Sequence, residues 1–267
     1  MEKYLIALDL DGTLMTSFND YDPETFEFIK SLHKQGHIIV LATGRPYRST
    51  KFVYDILELT TPMLNYNGAI VTNPHDSNFP KVDIRINKES LCDILYHTKG
   101  MINAFCEIGD DIFVNQLTPS IEPYLHLDGG NLVEGQLCHT LRGNPNGALV
   151  FVEHDAAKEF EDYVLTKYQG ELLIRHWPVE DCNIVEVFNP NTTKGNGLEH
   201  IAKYYQIPVE RTIAIGDGHN DIEMLDYAGI AVAMKNSHPE LLPYATVITD
   251  SNKEQGVLKF LKTFFQK

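Results

Sequence analysis

Short apolar runs recur along the chain, and each one ends in small or polar residues. Leu5-Ile6-Ala7-Leu8 runs into Asp9, and Ile38-Ile39-Val40-Leu41-Ala42 runs into Thr43-Gly44-Arg45. Met63-Leu64 leads to Asn65-Tyr66-Asn67-Gly68, and Thr212-Ile213-Ala214-Ile215 leads to Gly216-Asp217-Gly218. Continuous apolar runs of this length, closed by turn residues, predict strands buried on both faces of a parallel sheet. Helical spacing appears between them. Asp22 suits an N-cap with Pro23 in the first turn, Phe26, Ile29 and Leu32 fall on one face, and Gly36 marks the stop. Residues 198–205 and 222–228 read similarly, the latter closed by Gly229. Strand and helix in alternation predict the α/β class with right-handed crossovers.

The middle of the chain follows another pattern. After Ile84-Arg85-Ile86 comes a helix near residues 90–99, then strands around 104–108 and 112–115. An irregular stretch with Pro and Gly precedes a strand at 149–152, a helix at 156–167 and strands at 172–175 and 184–188. Neighbouring strands joined by short polar turns predict an antiparallel α+β unit, inserted into the α/β series. The expected organisation is a core domain of residues 1–82 and 190–267, with an inserted α+β domain at 83–189.

In open parallel sheets, ligands bind beyond the carboxyl ends of the strands. Asp9, Thr43, Asn67 and Asp217 each stand just past a strand end, so they are expected in one crevice. Taken singly, such residues are ordinary turn and cap formers. Their weight comes from falling at strand ends one after another. Asp9 and Asp11 are two apart and point to one side of an extended segment, and Asp217 and Asp221 follow another strand. Four carboxylates in one crevice need a cation, because each like-charge pair about 4 Å apart costs about 4 kcal/mol at an effective dielectric of 20. All-oxygen ligation favours a hard ion, Mg²⁺ before Zn²⁺.

Charge narrows the partners. The 267 residues carry 22 Lys and Arg against 37 Asp and Glu, a net charge of −15. So acidic a chain repels nucleic acid and anionic membrane. An anionic substrate would have to be met by locally supplied positive charge, such as a metal ion, a lysine or a helix N-terminus. Cys92, Cys106, Cys138 and Cys182 are widely spaced without a Cys-x-x-Cys pair, which predicts reduced core residues. Neither a signal peptide nor a transmembrane helix is legible, so the expected location is the cytoplasm.

Asp9-Leu10-Asp11-Gly12-Thr13-Leu14, Ala42-Thr43-Gly44-Arg45, Asn67-Gly68-Ala69, Thr193-Lys194-Gly195 and Gly216-Asp217-Gly218-His219-Asn220-Asp221 together resemble the haloacid dehalogenase superfamily. More narrowly they resemble its Cof-like branch (subfamily IIB), metabolite phosphatases with a large cap inserted between the second and third motifs. The resemblance implies a Rossmann-like parallel-sheet core with an α+β cap, and Mg²⁺-dependent hydrolysis of small phosphomonoesters. Asp9 would be the nucleophile that forms an aspartyl-phosphate, and Asp11 the general acid and base. Neighbouring carboxylates would raise Asp11 enough to hold its proton. Mg²⁺ would be held by Asp9, the Asp11 carbonyl and Asp217, with Asp221 assisting directly or through water. Thr43 and Lys194 would complete the catalytic set, Lys194 being held by Asn220 or Asp221. Leu10, Thr43, Gly44, Arg45, Asn67, Gly68, Lys194 and Asn220 would line the phosphate and substrate site. A phosphomutase shares these residues and differs in how its cap excludes water. A receiver-like phospho-acceptor shares the acidic cluster, Thr and Lys, but is about half this length and lacks an inserted domain.

Overall fold

The computed structural model describes residues 2–266, so Met1 and Lys267, at the outer ends of the expected core domain, lie outside the described residues. The chain divides into two compact units. The first comprises the segment ending at Arg45, Thr50–Val82 and the segment from Thr193 onward, and the second comprises Asp83–Thr192 with Pro46–Ser49.

In the first unit five parallel strands form one sheet in the order Val247–Ile248, Ile230–Ala233, Thr212–Gly216, Leu5–Leu8, Ile38–Leu41. The adjacent apolar runs Thr212–Gly216, Leu5–Leu8 and Ile38–Leu41 are buried along their whole length, as strands covered on both faces must be. Asp22 caps the helix Pro23–Lys34 by accepting from the Thr25 amide at 2.8 Å, and Phe26, Ile29 and Leu32 are the buried face. The run at Met63 departs from expectation. Met63–Asn65 pairs antiparallel with Ile70–Thr72, and a single parallel bridge, Ala42 to Leu64, links it to the main sheet. The turn at 66–69 is tight enough to fold the strand back on itself, and pairing in the hairpin replaces further growth of the parallel ladder.

The second unit is built on a six-stranded sheet, ordered Asn131–Glu134, Asp111–Val114, Met101–Ile108, Ala148–Val152, Asn183–Phe188, Leu173–Pro178. All neighbours are antiparallel except the first pair, which is parallel, so the irregular stretch of the sequence contributes a strand as well. Alternation along the strands serves both faces. Ala104, Cys106, Val150, Val185 and Val187 pack with Leu91 and Ile94 of the helix Lys88–His97 and with Phe160 and Val164 of the helix Ala157–Lys167. Phe105, Phe151 and Ile184 point the other way and meet Ile121 and Leu125. One expectation is corrected here. Cys92 and Cys138 are joined as a disulfide, with Cα atoms 5.4 Å apart, while Cys106 and Cys182 are free and buried. Helix packing brings together two residues 46 positions apart, which spacing in sequence cannot reveal. Among the described residues no helix is long and apolar enough to cross a membrane.

Candidate active site

Sheet register sets the site. Leu8 pairs with Ile215 on one side and with Leu41 on the other, so these three adjacent strands end level. The first strand has its successor Ile38–Leu41 on one side and the late strand Thr212–Gly216 on the other, and at such a reversal of strand order these sheets open a crevice. Asp9 follows Leu8 directly and donates its amide to the Ile215 carbonyl at 3.0 Å. Gly216-Asp217 lies to one side and Ala42-Thr43 to the other.

Lys194 reaches this point from the first turn of the helix Lys194–Tyr205, which is capped by Thr193 through the Asn196 amide. Its side chain is fully buried, and its ammonium donates to Asp9 Oδ1 and Asp221 Oδ1, both at 2.6 Å. An unpaired ammonium could not stay there charged, because taking it out of water costs several kcal/mol. Burial works against it, but Asp221 and Asp9 outweigh that and hold the proton firmly. Asp221 is buried too, and its second oxygen accepts from the amides of Asp217 and Gly218 at 3.0 and 2.9 Å. Asp217 accepts from the Thr13 hydroxyl at 2.7 Å. Burial chiefly, then the charges of Asp221 and Asp217, push the Asp9 carboxyl well above the usual range. Asp217 is pushed up to about 6, by burial first and by Asp221, with the Thr13 hydrogen bond opposing.

Two glycines permit this density. Gly12 has φ +82°, and a Cβ there would meet Asp217 Oδ2 at 2.2 Å. Gly68, at φ +100°, would drive a Cβ to 2.2 Å from the Thr193 carbonyl, so only glycine lets the 66–69 turn sit against the helix that carries Lys194. That turn brings Asn67 to the Thr43 segment. Asn67 donates its amide to the Thr43 carbonyl at 3.0 Å, and its side-chain oxygen accepts from Asn220 Nδ2 at 2.9 Å. Thr43 is buried, with its hydroxyl accepting from the Arg45 amide at 3.1 Å. The Gly44 Cα lies close by, since a Cβ on it would be 3.1 Å from Asn67 Oδ1. Leu10 is buried, and its carbonyl accepts from the amides of Thr13, Leu14 and Met15.

Of the two residues expected to hold Lys194, Asp221 does so, and Asn220 braces Asn67. Asp11 stands apart from the other three acids. Its side chain is 53% exposed and is gripped by the buried Arg45 guanidinium, Nε to Oδ2 at 2.8 Å and Nη2 to Oδ1 at 2.5 Å. Arg45 also donates to the Phe18 carbonyl at 2.7 Å and stacks on the Phe18 ring at 4.6 Å. Arg45 thus bonds to both Asp11 and the Phe18 carbonyl. Thr13 and Asn236 join the site without having been singled out for roles. Asn236 donates to the Gly12 carbonyl at 2.8 Å and approaches Asp217 Oδ2 at 3.4 Å. Thr13 directly follows Gly12 in the first motif, which is the one signal that pointed to it.

Asp9, Asp217 and Asp221 each bring a carboxylate oxygen within 4.8 Å of the others. Three acids with one ammonium among them leave a negative excess in a buried pocket, and the donors are all oxygen. That set fits a hard divalent cation of the Mg²⁺ kind.

Residues 6–261 match the family described as haloacid dehalogenase-like hydrolase. A curated relative, the 5-amino-6-(5-phospho-D-ribitylamino)uracil phosphatase YitU of Bacillus subtilis, is 32% identical over 99% of this chain and 98% of its own. A crystal structure of a haloacid dehalogenase-like hydrolase from Bacteroides thetaiotaomicron superposes with a TM-score of 0.84, at 25% identity, over 99% of this chain and all of that one. The subclass IIB sugar phosphatase BT4131 shares the fold with a TM-score of 0.78, at 23% identity, over 98% and 99% of the two chains. With motifs, register and family match covering the same span, the chain belongs to the haloacid dehalogenase-like hydrolases, the superfamily its motifs resemble.

Proposed function

We propose that this phosphatase is Mg²⁺-dependent and hydrolyses a small phosphorylated metabolite through an aspartyl-phosphate on Asp9. The observation that carries the reading is the Lys194 ammonium, buried between Asp9 and Asp221 at the end of the strand Leu5–Leu8, with Asp217 alongside. In the first step a carboxylate oxygen of Asp9 attacks phosphorus, and the bond from phosphorus to the leaving oxygen breaks. Asp11 gives that oxygen its proton. In the second step Asp11 takes a proton from water, which attacks phosphorus and frees inorganic phosphate and the Asp9 carboxylate. Lys194 offsets charge on the transferred group, while Thr43 and the Gly44 amide bind its oxygens. Asp9 and Asp217, with the Asp11 carbonyl, would hold the Mg²⁺; Asp221 spends both oxygens on Lys194 and the loop amides, which suits it to assisting through water. When bound, the ion supplies charge neutralisation that lets an anionic phosphoryl group approach Asp9. Residues 83–189 would be the cap domain that sets substrate specificity.

The identity to YitU supports testing 5-amino-6-(5-phospho-D-ribitylamino)uracil first, beside hexose phosphates, nucleotides, flavin mononucleotide and pyridoxal phosphate. Phosphate release is expected only with Mg²⁺ restored after chelation, and Asp9→Asn should lower it by at least about 10³-fold. Full activity of Asp9→Asn, or of the chelated enzyme, would sink the reading.

A further inference from the structure

Outside the carboxylate cluster, the described residues bring together a second set of ligand-type side chains, His219, His238 and Glu240. His219 opens the short turn His219–Asp221, and His238 stands just before Pro239–Tyr244. The backbone ties these loops together, since the His238 amide donates to the Asp217 carbonyl at 2.8 Å. One ligand atom from each side chain lies within 4.8 Å of the others. The two imidazole rings are 3.7 Å apart between centroids, and His219 Nε2 is 3.1 Å from Glu240 Oε2. His238 Nδ1 accepts from the Glu240 amide at 3.3 Å, a long contact that a ligand bond could replace.

The bland alternative is an exposed ion pair, and it explains only part of this. Pairing of His219 with Glu240 at the surface contributes little stability and does not require the second imidazole against the first. A shared cation accounts for all three. We propose that His219, His238 and Glu240 form a second metal site, which takes a borderline divalent ion such as Zn²⁺. Two imidazole nitrogens and one carboxylate oxygen make the three-ligand set that Zn²⁺ accepts, with water in the fourth position. The same donors suit Mg²⁺ poorly, because that ion prefers an all-oxygen shell. Chemistry thus separates this site from the one at Asp9, although one loop serves both. Access is open, because the Glu240 side chain is 70% exposed and that of His219 27%.

The test uses full-length, chelator-stripped protein in saturating Mg²⁺, which occupies the carboxylate cluster. Zn²⁺ is titrated against a chromophoric chelator, and Co²⁺ serves as an absorbing substitute. One Zn²⁺ per chain should bind despite the Mg²⁺, and Co²⁺ should give the visible bands of a four- or five-coordinate nitrogen–oxygen site. His238→Ala and Glu240→Gln should each weaken Zn²⁺ at least about tenfold. Glu240→Gln changes one exposed oxygen, so an unaltered melting temperature certifies its fold if His238→Ala proves unstable. Failure to retain Zn²⁺ under Mg²⁺, or undiminished affinity in a folded Glu240→Gln protein, overturns the proposal.

Discussion

In the first unit one ammonium, that of Lys194, faces Asp9, Asp217 and Asp221, whereas in the second unit Arg48 meets Glu107 and Arg175 meets Glu186. Both arrangements take charge out of solvent, Arg175 with Glu186 only in part. The side chains of Arg48 and Glu107 are each 6% exposed and joined by a fork of two bonds, at 2.8 and 3.0 Å. Such a pair is complete, since the guanidinium matches the carboxylate atom for atom. The cluster around Lys194 is incomplete, and its negative excess keeps the unit in a state that a cation relieves. Charge balance, more than the mere presence of buried charge, separates a structural pair from a site made to receive something.

The contrast makes Glu107→Ala the largest change. Removing that carboxylate leaves the Arg48 guanidinium without its charged partner, facing neutral acceptors such as the carbonyls of Leu125 and His126, at 3.1 and 3.0 Å. Breaking a buried pair from one side costs about 3–5 kcal/mol. Urea unfolding should show that loss, with amides of the strand Met101–Ile108 exchanging faster, and Mg²⁺ should not restore them. A loss below about 1 kcal/mol would mean the pair is not the complete unit described here.

Asp217→Asn should act in the opposite sense. In chelator, it removes one charge from the overcrowded cluster while its amide oxygen can still accept from Thr13. Metal-free protein should gain about 1 kcal/mol, the order expected for relieving a like-charge contact at a partly solvated site. Wild type should be further stabilised by Mg²⁺ through its preference for the folded state, and the variant should lose most of that gain. Thermal melts with chelator and with Mg²⁺ read both effects. Equal responses of variant and wild type to Mg²⁺ would place the ion elsewhere.

Much of this contrast was legible in advance on one side only. The apolar runs before Asp9, Thr43 and Asp217 announce level strand ends, because a doubly covered parallel strand must be apolar throughout and polar once it leaves the sheet. Motif order then brings in Lys194 from far along the chain. What sequence could not carry was direction. Asp9 and Asp11 look equivalent at a spacing of two, yet the turn stabilised at the Leu10 carbonyl sends one into the crevice and the other to Arg45. The strand Asn131–Glu134 was illegible because its residues are largely exposed and lack alternation. Cys92 and Cys138 met only through helix packing, and Arg48 and Glu107 carry no local signal of each other.

Asp93 offers the mildest test, because it is a completed charge at a surface. From the helix Lys88–His97 its Oδ2 accepts from Lys167 at 2.7 Å and from the hydroxyls of Tyr163 and Tyr168, both at 2.6 Å. Those bonds, led by Lys167, hold its carboxyl well below the usual range. A carboxyl depressed in the folded state adds stability above its unfolded pKa of about 4, and that contribution fades as pH falls toward the folded value. Asp93→Asn should therefore lower the melting temperature at pH 7 by no more than about 4 °C. Below pH 4 the curves of variant and wild type should converge, because the wild type gives up what the variant never had. Salt should narrow the gap at pH 7, since the site is open to solvent. If the curves stay parallel down to pH 2, the bonds to Asp93 are geometry without thermodynamic weight, and the second unit's balance rests on its buried pairs alone.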